Sequence, residues 1–177
     1  MEELFKKFKK GDEEAFMEIM KMYKDDVFRY MYFLFGNKET AEELTQETFV
    51  KVYFKAKTFK TNNIKNWIFA IGRNIARKEF KKMKIRKLIS FSEIKGENKS
   101  ISEQNDNKIL IYELLKDIPE KYKTPLLMKE IEGLSLDNIA EILKKPVGTI
   151  KSYIFRGKEL LKNKYKFMME VRNDRSW

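Results

Sequence analysis

The sequence contains no cysteine and no histidine. The first absence excludes disulfides and thiolate zinc sites, and the second removes imidazole as a base, as the partner of a nucleophile and as a metal ligand. Only carboxylates and amines remain for chemistry. The adjacent carboxylate pairs Glu13-Glu14 and Asp25-Asp26 fall on helix faces that we expect to be solvated, with no glycine-rich loop nearby. We therefore expect a protein that is not an enzyme and that uses no cofactor, no metal ion and no small-molecule substrate.

Proline, glycine and long apolar runs are also scarce. Three prolines and seven glycines in 177 residues are too few for a turn-rich β fold, whereas 42% hydrophobic residues suffice for packed cores. No stretch approaches the ~18 uncharged apolar residues of a membrane span. Residues 1–7 carry charges where a signal peptide needs an apolar run. We expect an all-α, cytoplasmic protein without direct membrane insertion.

Apolar residues spaced by three and four predict helices throughout the N-terminal half. The first helix begins after the N-cap Asp12, and the second begins at Thr40, which forms a capping box with Glu43. The third helix follows a capping loop at residues 59–63 and becomes almost wholly basic after Ile75.

The helical pattern fails between residues 89 and 107, where Ser, Glu, Lys, Asn and Gln alternate around Gly96. The charges of this stretch nearly cancel, and we interpret it as a flexible linker. The chain is then two small helical domains, residues 1–88 and 108–177. Within the second domain, Pro125 must begin a new helix or kink an existing one.

Residues 135–160 have the form of a helix-turn-helix. Ser135 caps its first helix, and Lys144 occupies the turn position where glycine is often found, at a cost of roughly 1 kcal/mol if its φ is positive. Four apolar side chains are expected to face the core: Ile139, Leu143, Ile150 and Ile154. The second helix opens at Pro146 and presents polar and basic side chains outward, as a helix in the DNA major groove does. A plain two-helix hairpin is the alternative interpretation.

The net charge of +11 is concentrated in two segments. Residues 73–87 carry eight basic residues against one acid, and residues 145–166 carry seven against one. The rest of the chain is slightly acidic, so the charge is not spread for solubility. We expect nucleic acid as the partner rather than an anionic membrane, because the basic segments lack the broad apolar stripe of an interfacial helix.

Acidic and polar side chains crowd the start of the second helix. Capping and compensation of the helix dipole account for Glu42 and Glu43. They do not reach Gln46 and Glu47, which lie further along the helix. This helix is therefore a candidate docking face for a protein partner with a basic surface.

Four short stretches together resemble the extracytoplasmic-function (ECF, group 4) sigma factors of bacterial RNA polymerase. Residues 40–49 (TAEELTQETF) resemble the polymerase-binding helix of that family, and residues 66–77 (NWIFAIGRNIAR) resemble the helix that melts and reads the downstream promoter element. Residues 133–143 (GLSLDNIAEIL) and 146–152 (PVGTIKS) resemble its promoter-reading C-terminal domain. The ordered set covers most of residues 11–165.

The resemblance implies an alternative sigma factor that binds core RNA polymerase and promoter DNA and directs promoter-specific transcription initiation. It also implies an anti-sigma factor as a partner. The residues implied in polymerase binding are Glu43, Gln46, Glu47 and Phe49. Those implied in trapping a flipped base of the downstream element are Thr61, Asn62, Asn63 and Asn74, with Trp67 mainly supporting the fold. Those implied in holding the phosphates there are Arg73, Arg77, Lys78, Lys81 and Lys82. Those expected to face the upstream element are Lys151, Ser152, Phe155, Arg156 and Lys158.

Two alternatives stay open at this point. A helix-turn-helix regulator that binds duplex operator DNA without polymerase explains residues 135–165 but leaves the other basic helix unused. Phe155 either faces the DNA or belongs to the core beside Ile154. Tyr153 and Gly157 stand where the family usually has Arg and Ala, and these departures bear on the upstream sequence preference rather than on the class.

Overall fold

A computed structural model of the chain describes residues 2–59, 63–90 and 106–174. The described residues contain helices and no strand, so the predicted all-α class is confirmed. The helices are α1 (Glu2–Lys9), α2 (Glu13–Phe35), α3 (Lys38–Phe54), a 3-10 turn (Ala56–Thr58), α4 (Ile64–Ser90), α5 (Asp106–Leu115), α6 (Glu120–Glu130), α7 (Leu136–Leu143) and α8 (Val147–Asp174). Among the described helices, none combines the length and the apolar character of a membrane span.

The helices group into two compact units. The first unit holds α1, α3, α4 and most of α2, and the second holds α5 to α8 together with residues 33–36. Most of the predicted linker, residues 91–105, lies outside the described residues. Its first and last residues are helical, because α4 continues to Ser90 and α5 already begins at Asp106.

The core of the first unit forms where α2, α3 and α4 meet. The Tyr30 ring of α2 packs edge-on against Phe69 of α4, with ring centroids 5.5 Å apart. A Cβ at Gly72 of α4 would lie 3.3 Å from the Met31 side chain and 3.6 Å from that of Thr48. The absence of a side chain at Gly72 therefore lets α4 approach both of the other helices closely.

The start of α3 differs from the sequence prediction. Asn37 is the N-cap, with extended backbone, and its side chain accepts a hydrogen bond from the Thr40 backbone N–H at 2.7 Å. The capping box proposed for Thr40 and Glu43 is therefore wrong, since Thr40 already lies in the first turn. Gly36, with φ of +70°, makes the turn that ends α2, and Asn37 can then cap the next helix directly.

Helix α1 closes over an aromatic cluster of the first unit, and the sequence analysis did not predict it. Phe8 is 1% exposed, and its ring centroid lies 6.2 Å from that of Trp67. The Phe5 ring lies 5.9 Å from Phe59, and the Lys9 ammonium lies 5.0 Å from the Phe59 centroid on the same helix face. Trp67 is thus held in the fold, as expected, by contacts with Phe8 and Phe59.

The second unit contains the predicted helix-turn-helix as α7 and α8. Ser135 caps α7 by accepting a hydrogen bond from the Asn138 backbone N–H at 3.1 Å. Lys144 takes the left-handed conformation at the turn, with φ of 52°, and is the non-glycine residue that does so in the described part of the chain. The four predicted core residues are at most 7% exposed: Ile139, Leu143, Ile150 and Ile154.

Helix α6 packs across α8 at Gly157. A Cβ at this glycine would lie 3.3 Å from both the Leu126 side chain and the Tyr122 carbonyl oxygen of α6. Pro125 lies inside α6 and not at its start. The close crossing fixes which side of α8 faces the unit and which side is left for a ligand.

Candidate nucleic-acid interface

The basic surface of α4 is mostly exposed. Arg77, Lys78 and Lys81 point to solvent, whereas Arg73 is half-buried and donates a hydrogen bond to the Asn74 amide oxygen at 3.1 Å. Lys82 is exposed but lies 3.2 Å from the Glu79 carboxylate. The predicted phosphate-holding residues therefore fall into two groups. Arg77, Lys78 and Lys81 extend into solvent, whereas Arg73 and Lys82 already contact a side chain of α4.

A groove between α3 and α4, here called the α3–α4 groove, brings several of these residues together. Its volume is about 420 Å³. It is lined by Lys51, Lys55, Ile71, Asn74, Ile75, Arg77, Lys78 and Lys81. The sequence analysis missed Lys51 and Lys55, because it assigned the whole of α3 to protein docking. The sequence signal available for them was their spacing: Glu47, Lys51 and Lys55 are each four residues apart, so they lie along one face of the helix.

The loop before α4 is only partly described. The Asn63 side chain accepts a hydrogen bond from the Asn66 backbone N–H at 3.0 Å. The expectation that this loop caps the third helix is therefore confirmed at Asn63. Thr61 and Asn62, the other two residues predicted to trap a base there, lie outside the described residues.

The acidic face of α3 that is predicted to dock a protein partner consists of Glu43, Gln46 and Glu47. Glu43 and Gln46 are exposed, and Glu47 is partly exposed and forms an ion pair with Lys51 one turn along the helix. Phe49, the fourth residue predicted for this face, is 4% exposed. Thr48 and Phe49 are both buried, so Phe49 is accessible to a partner only from the apolar groove that it lines.

An apolar groove of about 550 Å³ runs between α2 and α3 beside this face. Gln46 lies at its rim, and Phe49 contributes to its lining from below. Three of the other lining side chains are at least half exposed: Met17, Val50 and Phe54. Apolar patches of this kind are typical of interaction sites. The predicted docking face therefore has an apolar flank, which the sequence analysis did not identify.

The outward strip of α8 contains the residues predicted to face the upstream element. Phe155 is 67% exposed, so the alternative that places it in the core is wrong. Lys151, Ser152 and Arg156 are exposed with it. Arg156 donates a hydrogen bond to the Tyr122 hydroxyl at 3.3 Å, and this bond lowers the pKa of the Tyr122 phenol.

Three other residues of α8 contact side chains or backbone of α6: Tyr153, Gly157 and Lys158. Lys158 lies 2.9 Å from the Glu130 carboxylate, so its ammonium already has an acidic partner. Tyr153 is partly buried, with its ring edge-on to Tyr122 at 5.5 Å. Gly157 is buried in the helix crossing. The departure at Gly157 therefore lies at a position where α8 packs against α6, and its bearing on the upstream sequence preference stays a prediction.

The second unit also buries a lysine. Lys123 is 4% exposed, and its ammonium donates to the Lys116 carbonyl oxygen at 3.4 Å, just beyond α5. Burial lowers the pKa of Lys123 to about 8, although Asp117 and Glu120 act in the opposite direction, and Lys164 adds to the lowering. Lys164 itself forms an ion pair with Asp117.

This buried amine predicts a stability that depends on pH. Between about pH 8 and the ordinary lysine pKa of 10.5, the unfolded chain binds more protons at Lys123 than the folded chain does. The free energy of unfolding should therefore rise as the pH increases through this window. Lys123→Met should raise the melting temperature at pH 7 and remove this part of the rise, because no charge is then buried. Thermal melts of both proteins from pH 7 to pH 10 measure it, and parallel pH curves would refute it.

Comparison with known proteins covers both units. Residues 19–85 match the family Sigma-70 region 2, and residues 108–161 match the family Sigma-70, region 4. The ECF RNA polymerase sigma factor SigW of Bacillus subtilis is 34% identical over an alignment of 174 positions, with 89% of this chain and 92% of the relative covered. The ECF RNA polymerase sigma-E factor of Haemophilus influenzae is 26% identical, with 94% and 95% covered.

Two solved structures share the fold. The sigma factor RpoE in complex with the anti-sigma factor NepR from Bartonella quintana aligns with a TM-score of 0.72 at 21% identity, covering 85% of this chain and 96% of the other. CnrH in complex with the cytosolic domain of CnrY aligns with a TM-score of 0.71 at 15% identity, covering 90% and 93%.

Proposed function

Since the chain belongs to the family of ECF RNA polymerase sigma factors, we propose that it binds core RNA polymerase and directs promoter-specific transcription initiation. One observation supports this function beyond the family match. The two cationic helices, α4 and α8, lie in different units of one chain, and the acidic face of α3 lies in the same unit as α4. Such an arrangement suits a protein that contacts DNA twice and a protein partner once.

The helix-turn-helix regulator is the weaker hypothesis. It accounts for α7 and α8, since a recognition helix alone suffices for an operator. It leaves the basic surface of α4 and the α3–α4 groove without a role. The match of residues 19–85 to Sigma-70 region 2 accounts for both.

We assign the downstream element to α4 and the upstream element to α8. Lys78 and Lys81 contact phosphates without reading sequence, while the Asn74 amide presents hydrogen-bonding groups to a base edge at the groove. On α8, Phe155 and Arg156 face the bases of the major groove, and the upstream promoter element is read there.

The protein contacts are assigned to the first unit. Glu43, Gln46 and Glu47 meet a basic surface of the polymerase, and the apolar flank beside Gln46 adds contact area. Two structural neighbours were solved in complex with a protein partner, the anti-sigma factor NepR in one case and the cytosolic domain of CnrY in the other. We propose that an anti-sigma factor likewise binds this chain. We further propose that the chain acts in the cytoplasm, where bacterial RNA polymerase works.

Reconstituted transcription tests the function. Purified chain and core RNA polymerase should together produce discrete transcripts from a subset of promoters in genomic DNA of the source organism, and the chain alone should shift a promoter fragment weakly. Start-site mapping and a gel shift with and without core enzyme measure both. Tight binding to a duplex site by the chain alone, with no transcript when core enzyme is added, would favour the operator-binding regulator.

A further inference from the structure

We propose that Tyr122 of α6 is a positioning residue for recognition of the upstream promoter element, and that it acts by holding the Arg156 guanidinium of α8 in the orientation that reads a base. The inference deepens the proposed function and rests on it, because it requires that α8 faces the major groove. It extends the determinants of promoter preference to a helix outside the helix-turn-helix.

Tyr122 meets α8 at three positions that share one face of that helix. Its hydroxyl oxygen accepts a hydrogen bond from Nη1 of Arg156 at 3.3 Å. Its ring lies edge-on to that of Tyr153, with ring centroids 5.5 Å apart. A Cβ at Gly157 would lie 3.3 Å from the Tyr122 carbonyl oxygen. Positions 156 and 157 lie three and four residues after position 153, so Tyr122 packs against a single face of α8 with its backbone, its ring and its hydroxyl.

The surroundings of Tyr122 fix the place of its hydroxyl. The close crossing at Gly157 sets where the α6 backbone lies, and the edge-on contact with Tyr153 restricts the ring. The Lys121 ammonium lies 4.7 Å from the centroid of the same ring. The Arg156 guanidinium and the Lys121 ammonium lower the pKa of the Tyr122 phenol, as expected for a hydroxyl oxygen that faces cations. A tyrosine has two side-chain torsions, so a ring held in this way presents its hydroxyl at one place.

Arg156 is the side chain that gains from this fixed partner. It is exposed, and ordering its long side chain on the DNA costs conformational entropy. A hydrogen bond that already holds the guanidinium lowers this cost. The guanidinium has five N–H donors, and one bond to Tyr122 leaves four for the two acceptors that guanine presents in the major groove. Tyr122 can therefore orient Arg156 while the bidentate contact to the base forms.

Single-base discrimination in transcription tests the role of Tyr122. Tyr122→Phe removes the hydroxyl and keeps the ring against Tyr153. Holoenzyme made with this variant should lose about three-fold in discrimination at the upstream base where Arg156→Ala relaxes the preference, because a hydrogen bond makes a modest net contribution. Discrimination at the other upstream positions and the melting temperature should stay as in wild type. Transcription from promoter pairs that differ in one upstream base measures the effect.

The matched control is Tyr165→Phe, which removes the same group from a tyrosine of α8 that is 43% exposed and lies beyond the helix-turn-helix. It should leave discrimination unchanged at every upstream position. A double-mutant cycle then separates action through Arg156 from an independent contact. In the Arg156→Ala background, Tyr122→Phe should have no further effect. An equal loss in both backgrounds would show that the Tyr122 hydroxyl contacts DNA itself and would overturn the positioning role.

The same measurements separate failure of this inference from failure of the proposed function. If Arg156→Ala relaxes discrimination and Tyr122→Phe does not, the positioning role is overturned while base reading by Arg156 stands. If neither variant changes discrimination and wild type still initiates at specific promoters, the positioning role is overturned and the proposed function stands. If wild type with core enzyme produces no promoter-specific transcript, both are overturned. A uniform loss at all promoters in Tyr122→Phe, with discrimination unchanged, would also overturn the positioning role.

Discussion

Replacing Gln46 and Glu47 with lysine is expected to abolish binding to core RNA polymerase while lowering the melting temperature only slightly. Both side chains lie on the accessible face of α3, so the substitutions leave the core untouched. They place two cations against a partner surface that we infer to be basic, and juxtaposed like charges cost several kcal/mol at an interface. The variant also loses the Glu47–Lys51 ion pair, at a cost to stability of roughly 0.3–0.5 kcal/mol.

Equilibrium binding of labelled chain to core enzyme measures this effect. Glu18→Lys with Met22→Lys is the control, since it changes the net charge by the same amount on an exposed side of α2. The control should bind core enzyme like wild type, which would show that the loss is local to α3 and not a result of total charge. Wild-type affinity in the Gln46 and Glu47 variant would contradict the docking assignment.

Arg156→Ala is expected to relax the upstream promoter preference at one base by roughly 1–3 kcal/mol, or about 5- to 150-fold in discrimination. The guanidinium is exposed and is oriented by its hydrogen bond to the Tyr122 hydroxyl. A bidentate contact from arginine to guanine is the commonest specific contact in the major groove. Transcription by the variant holoenzyme from promoter pairs that differ in one upstream base measures the change.

Phe155→Ala should also weaken recognition of the upstream element, with almost no change in melting temperature. Its side chain is 67% exposed, whereas a buried phenylalanine would cost roughly 3–5 kcal/mol on truncation. Transcription should fall only from promoters that keep the upstream element intact.

Lys162→Ala is the control for both α8 substitutions, because Lys162 lies further along the helix and is expected to contact only phosphates. It should weaken binding to all promoters alike and reduce the salt dependence. If Arg156→Ala behaves in the same way as Lys162→Ala, the base-reading role is refuted.

Several features follow from the order of residues alone. Helical spacing, the caps at Asp12, Asn63 and Ser135 and the scarcity of proline and glycine establish an all-α protein. The helix-turn-helix was predictable down to the left-handed Lys144, because its turn and core positions lie within one short segment. The concentration of cations in two segments likewise needs no tertiary information.

Local patterns were insufficient for α1. An eight-residue helix is unstable by itself, because helix nucleation is costly and the few hydrogen bonds formed do not offset it. Its stability comes from Phe5 and Phe8, which pack against Phe59 and Trp67 more than fifty residues later. Contacts at that separation leave no periodic signal near the N-terminus.

The sequence also could not predict whether a side chain at the edge of a helix face is buried or exposed. Phe49 and Phe155 each stand beside a core position, and successive residues on a helix differ in direction by about 100°, so either residue could lie on either side of the boundary. Packing within the first unit buries Phe49, and the crossing of α6 over α8 at Gly157 leaves Phe155 exposed. The α3–α4 groove arises in the same way: Lys51 and Lys55 meet Asn74 and Lys78 because two helices pack side by side, and no local segment encodes that distance. Periodicity, caps and charge are local and can be read along the chain, whereas the faces of helices acquire their roles only when other helices cover them.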